Sequence, residues 1–251
     1  MLRLYHLLIG IALIVFIPVG VNLLRPRPPV QNRELSSTIP ATPSQENRPV
    51  RANKWTSMLG NTGVPRGWKA IPCGNSSLLC VSANGKNLGS VAIETYPVSK
   101  QPDFQKMLVN AGISPNNPGD NQNPQYQKQV LKALHSRVNA EYRSLSQDYQ
   151  KNHGDRIHFA AQPPEVVSFG KLEGIRYGFA GLKKGGRVVE KHLRYVAFDG
   201  ESMYVINTAF TSDSLPSKFD RLENLVVFEP YLSAIAANLK LPATDSLATS
   251  Q

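Results

Sequence analysis

Residues 174–210 read GIRYGFAGLKKGGRVVEKHLRYVAFDGESMYVINTAF, and their period decides the fold. GIRYGFAGL, RVVEKHLRYVAF and SMYVINTAF each carry the two-residue alternation and the β-branched and aromatic content of a strand. LKKGGR joins the first to the second. FDGE joins the second to the third, and its Asp-Gly pair predicts a tight hairpin. Consecutive hairpins make an antiparallel meander.

Upstream, RIHFAAQ (156–162) and EVVSFG (165–170) read as two further strands of the same kind. Before them the period changes. Tyr126, Val130, Leu134, Val138, Tyr142, Leu145 and Tyr149 recur at steps of four or three, which places one apolar stripe on a long helix over 124–151. Asn123 is its N-cap, Pro124 suits the first helical position, and Asn152-His153-Gly154 stops it. Three tyrosines in the stripe would make a stacking surface, but such a stripe is more often the line along which a helix lies on a sheet.

Nearer the start, RGWKAIPC and SLLCVSA read as short strands. NLGSVAIETYPV is a clearer one, with Val91, Ile93 and Thr95 on one face. PDFQKMLVNAG is a short helix ending at Gly112. After the meander come SKFDRLENL and EPYLSAIAANLKL, where Phe228, Leu232, Ile235 and Leu239 make a second helical stripe. Helices packed on an antiparallel sheet give an α+β sandwich.

The N-terminal part is of another kind. Residues 4–24, LYHLLIGIALIVFIPVGVNLL, hold no charged residue apart from His6. About twenty apolar residues suffice to cross a roughly 30 Å hydrocarbon core. Pro18-Val19-Gly20 is a poor cleavage site, so residues 1–24 read as a retained transmembrane anchor rather than a cleaved signal. Residues 25–54 are rich in Pro, Ser, Thr, Asn and Gln and read as a disordered tether with a reach of about 30 Å. The globular domain is then 55–242, followed by a polar tail, 243–251.

Which side of the membrane the domain faces depends on two conflicting signals. Arg25 and Arg27 follow the apolar run while Arg3 alone precedes it, so the positive-inside rule favours a cytoplasmic domain. The only two cysteines, Cys73 and Cys80, point the other way. A metal site would need further ligands nearby, and a redox pair is usually C-x-x-C at a helix start. Two buried free thiols are the plain alternative. A structural disulfide is favoured, because Gly74 and Asn75 let the backbone reverse and bring the α-carbons within about 7 Å. Closing so short a loop stabilises by about 2.5 kcal/mol in the loop-entropy account. Such a bridge persists in oxidising compartments and places the domain in a periplasm or thylakoid lumen.

The net charge of +10 is unevenly spread. Residues 1–56 carry a surplus of +5 (seven Lys or Arg, two Glu) and residues 183–198 one of +4 (five basic, one acidic). From 199 onward the balance is −4 (three basic, seven acidic). That dipolar pattern argues against a nucleic-acid binder. Lys183, Lys184, Arg187, Lys191 and Arg194 are the candidate binding residues for an acidic protein or anionic ligand; the plain reading is a solvated hairpin edge. No nucleophile elbow, zincin, phosphate-loop or dinucleotide motif is present, and no cofactor or metal is implied. Glu190, His192 and Arg194 alternate along one strand face, the only local convergence of acid, base and guanidinium, and so define an alternative, an exported hydrolase.

GWKAIPC, the meander and the closing FEPYLSAIAANL together resemble the PsbP-like family, lumenal proteins of oxygenic phototrophs, over roughly 66–240. The resemblance implies early strands, a helical excursion, an antiparallel meander and a C-terminal helix. It also implies a non-enzymatic accessory or assembly role at a photosynthetic membrane, with integral membrane subunits as partners. No catalytic or metal residues carry over.

Overall fold

In the strand Val188–Phe198, Leu193, Tyr195 and Ala197 are buried against one layer of helices while Val196 and Phe198 are buried against another. A sheet covered on both faces explains why the meander is so apolar throughout. The computed structural model describes residues 52–74, 77–114 and 123–242. The run read as an anchor (4–24), nearly all of the stretch read as a tether (25–54) and residues 243–251 lie outside the described residues. Among the described residues no helix is long and apolar enough to cross a membrane.

The elements are α1 (Lys54–Met58), β1 (Trp68–Pro72), β2 (Leu78–Ala83), β3 (Lys86–Pro97), α2 (Pro102–Asn110), α3 (Pro124–His153), β4 (Ile157–Phe169), β5 (Leu172–Lys183), β6 (Val188–Phe198), β7 (Ser202–Phe210), β8 (Lys218–Phe219) and α4 (Leu222–Ala237). The eight strands form one sheet in the order β1-β2-β3-β8-β7-β6-β5-β4, with β3 also pairing directly with β7. The meander β4 to β7 is antiparallel throughout. One face carries α1 and α4, the other α2 and α3.

Local chemistry fixes the turns. Asp199 Oδ1 accepts the backbone N–H groups of Glu201 and Ser202, at 2.8 and 2.7 Å, and Gly200 takes φ +107°, so the Asp-Gly hairpin forms as predicted. Asn123 caps α3 by accepting the Gln125 N–H at 2.9 Å, Pro124 opens the helix, and Gly154 at φ +53° ends it. Of the predicted stripe, Tyr126, Val130, Leu134, Val138 and Tyr149 are buried, and Tyr142 is partly buried against the same core.

Three details depart from the sequence reading. RIHFAAQ and EVVSFG are one strand, β4, that continues through Pro163-Pro164. β4 lies at the edge of the sheet, where a residue without an N–H is tolerated, and its register with β5 shifts between Gln162 and Glu165. The Tyr142 hydroxyl fills that gap, donating to Gln162 O at 2.7 Å and accepting the Gly178 N–H at 3.0 Å. The last helix begins at Leu222 and runs through Pro230, which is tolerated on the exposed side beside Val226. Leu239 is buried but lies beyond that helix.

The third departure is at the start of the domain. Asn53, only 5 % exposed, caps α1, and Trp55 is wholly buried. The folded region therefore takes in two residues read as tether.

Candidate functional site

Cys73 and Cys80 are joined in a disulfide, with α-carbons 5.3 Å apart, between β1 and β2. Asn75 and Ser76 lie outside the described residues. The bridge closes a loop whose carbonyls hold α1: the Asn53 side-chain amide donates to Cys73 O (3.1 Å) and Leu78 O (2.8 Å), and Trp55 Nε1 donates to Ser77 O (3.0 Å).

The alternating residues Glu190, His192 and Arg194 do share one face of β6, and α3 lies over that face. Arg194 donates to Glu141 of α3, which also accepts the Tyr177 hydroxyl at 3.0 Å. Glu190 accepts the Tyr149 hydroxyl of α3 and stands 3.0 Å from His192 Nε2. The His192 ring lies flat on Phe179, centroids 4.3 Å apart. Among the described residues no serine, threonine or cysteine hydrogen-bonds to His192. Glu190 and Arg194 thus tie α3 to the sheet, and His192 packs between Glu190 and Phe179.

Electrostatics fit that role. The hydrogen bond with His192 holds the Glu190 carboxyl below the usual carboxylate range, outweighing its burial. Burial, reinforced by the Glu190 carboxylate, pushes the Tyr149 hydroxyl well up. Burial followed by the bond to Glu94 pushes Tyr96 up to about 12. Burial, then the neighbouring Arg137 charge, lowers Arg194. A carboxyl depressed in the folded state stabilises fully above its unfolded value, near 4.5, and that contribution is lost as pH falls through the folded value. Glu190→Gln is therefore expected to flatten the acid limb of stability below about 4.5 in denaturant curves taken from neutral pH downward. An unchanged limb would mean that Glu190 is not held as described.

The five cations read as one surface are distributed to three places. Lys191 turns to the other face of the sheet, where Nζ is 2.5 Å from Glu229 of α4. Arg176 joins the same carboxylate group at 3.9 Å and reaches Glu165 at 2.9 Å. Arg194 is committed to α3. Lys183, Lys184 and Arg187 remain at the β5–β6 hairpin, exposed, around Gly185 and Gly186 at φ +95° and +82°. No ion pair engages these three among the described residues.

Two adjoining clefts open beside the hairpin. One, of about 510 Å³, is lined by His153, Ile157, Lys183, Arg187, Glu190 and Asp213, among others. The second, about 570 Å³, shares His153, Ile157 and Lys183 and adds Arg156 and Lys184. Arg156 caps the end of α3, donating to His153 O at 3.3 Å and Asn152 O at 3.4 Å. Among the described residues no group of three or more His, Cys, Asp or Glu is placed to hold a metal ion.

Sequence reasoning missed Arg137, Glu141, Arg156 and Glu229. Arg137 and Glu141 were readable as an i,i+4 pair flanking the α3 stripe. Glu229 carried no signal, because its partner Lys191 lies 38 residues away in sequence.

The described residues form an α+β domain with one large, mainly antiparallel sheet in which only β8 runs parallel to its neighbour β7, a long central helix and a disulfide. No protein-family model and no curated protein matches the sequence. Among solved structures it is similar to the solution structure of cyanobacterial PsbP (CyanoP) from Synechocystis sp. PCC 6803. The match covers 76 % of this protein and 89 % of that one, at 7 % identity and a TM-score of 0.37. At those values the likeness is one of architecture alone.

Proposed function

We propose that this protein is an extracytoplasmic accessory domain, held at a membrane by residues 4–24, that binds integral protein subunits and assists assembly or maintenance of a membrane complex. A photosynthetic membrane is the setting that the resemblance of residues 66–240 implies. The observation that carries the reading is the division of the charged side chains: Glu190, Lys191 and Arg194 are spent on holding helices, whereas Lys183, Lys184 and Arg187 stand exposed beside open clefts. The first group supports a scaffold and the second a docking element. The disulfide supports the side of the membrane, since such bridges persist in oxidising compartments.

A photo-cross-linking residue at position 184, activated in native membranes, tests the reading together with differential thiol alkylation. Integral subunits in the cross-linked band and a bridged Cys73–Cys80 peptide are the expected results. Recovery of the protein alone, or two freely alkylated thiols, would overturn it.

A further inference from the structure

We propose that the outer face of α4 lies on the lipid surface of the membrane at which residues 4–24 hold the protein. The inference goes beyond the partner-binding reading and rests on its membrane anchor. α4 is apolar on both sides. Leu225, Phe228 and Leu232 fill the core beneath it. On the solvent side Leu222, Val226, Pro230 and Ala234 follow one another at steps of four, with Val227 and Tyr231 beside them. Val226 and Val227 are 49 % and 48 % exposed. The charged residues of the helix do not interrupt this ridge. Glu229 is turned to Lys191, and Glu223, in the first turn, stands 3.7 Å from Arg221 just before it. A helix that is apolar all round is ordinarily covered all round. Ile71, Val109 and Val166 are as exposed, but each stands singly on another element, which needs no partner.

The place where the backbone enters the domain identifies the cover. α1, which begins at Lys54, packs into the same core as α4, on the same face of the sheet. The Lys240 N–H just past α4 bonds to Met58 O at 2.9 Å, and Gly60 lies so close to Asn238 O that a Cβ would collide with it. The attachment and the apolar ridge therefore share one layer of the fold. A tether with a reach of about 30 Å keeps a bilayer close to that layer, and a contact too weak to recruit a free protein then suffices. A bilayer is also the one apolar surface that the anchor holds beside every molecule. The ridge has no unpaired charge between Leu222 and Ala237, which fits the boundary between headgroups and acyl chains; an interfacial helix sinks its apolar face about 5–10 Å into it. A half-buried tyrosine such as Tyr231 is suited to that boundary.

The test uses the full-length protein in nanodiscs of phosphatidylcholine, one copy to a disc, with Cys73 and Cys80 bridged and an environment-sensitive fluorophore on A234C. A second preparation carries the fluorophore on K69C, exposed on the opposite face of the sheet from the α4 core, between Trp68 and Ala70. In discs whose lipid is brominated high on the acyl chains, the probe at 234 is expected to lose about half its emission and the probe at 69 almost none. V226D/V227D alters exposed side chains only, so it should abolish quenching at 234 and leave the denaturant midpoint in place. Quenching at 234 no greater than at 69, or unaltered by V226D/V227D, would overturn the proposal. So would a blue-shifted probe at 234 without quenching, which would put protein and not lipid on α4. If the protein stays with the discs on gel filtration and is not quenched, this inference falls and the anchored reading stands. If it does not enter the discs, both fall.

Discussion

Trp55→Ala is expected to lower the unfolding free energy by about 4 kcal/mol, within the roughly 3–5 kcal/mol that truncating a buried aromatic costs. The indole is 0 % exposed and packs in the core that α4 covers. Its Nε1 also satisfies the Ser77 carbonyl on the disulfide loop at 3.0 Å. The loss should appear as a lower denaturant midpoint of the full-length protein, with new protease sites between 54 and 58. Trp55→Phe keeps most of the packing and forfeits the N–H bond, so it should cost only about 1 kcal/mol. A Trp55→Ala loss below about 1 kcal/mol would mean that α1 is not docked as described, because a full cavity cannot be that cheap.

Glu141→Ala is expected to cost about 3 kcal/mol. It removes the carboxylate that accepts from both Arg194 and Tyr177, and leaves Arg194 beside the Arg137 charge. Breaking one side of a buried pair costs about 3–5 kcal/mol, and the lower end applies because Arg194 and Glu141 are 30 % and 20 % exposed in their side groups. Glu141→Leu combined with Arg194→Met should recover most of the loss, since paired apolar replacements remove the desolvation penalty as well as the attraction. Equilibrium denaturation of the single and double variants measures both. A single-variant effect of a few tenths of a kcal/mol would class the pair as a screened surface contact.

The meander, the long helix and the disulfide were legible because each follows from local chemistry: alternation, a stripe at steps of three and four, and a reversal at small polar residues. One misreading has a clear cause. Pro163-Pro164 read as a boundary under a sound local rule. That rule fails where a lost N–H bond faces solvent or a sheet edge, and no local pattern reveals which side faces out. The small helix at 54–58 was missed for a related reason. Asn53 and Trp55 close a polar stretch, and a lone tryptophan there was the available signal, but its burial depends on a loop more than twenty residues away.

The candidate site was less legible than the fold. Alternation correctly put Glu190, His192 and Arg194 on one face of β6, but not that Tyr149 and Glu141 of α3 would occupy it. Likewise Lys191 is near Arg187 in sequence, yet strand pleating turns it to α4 and away from the hairpin. Charge clustering in sequence counted neighbours that the sheet separates.

The disulfide ring has a mechanical consequence. The backbone enters the fold at Asn53, whose amide grips the carbonyls of Cys73 and Leu78, and it leaves nearby, where the Lys240 N–H bonds to Met58 O at 2.9 Å. A pull transmitted through the preceding residues therefore reaches a covalently closed ring on β1 and β2 before it reaches the meander. The edge of the sheet nearest that entry is the riveted one.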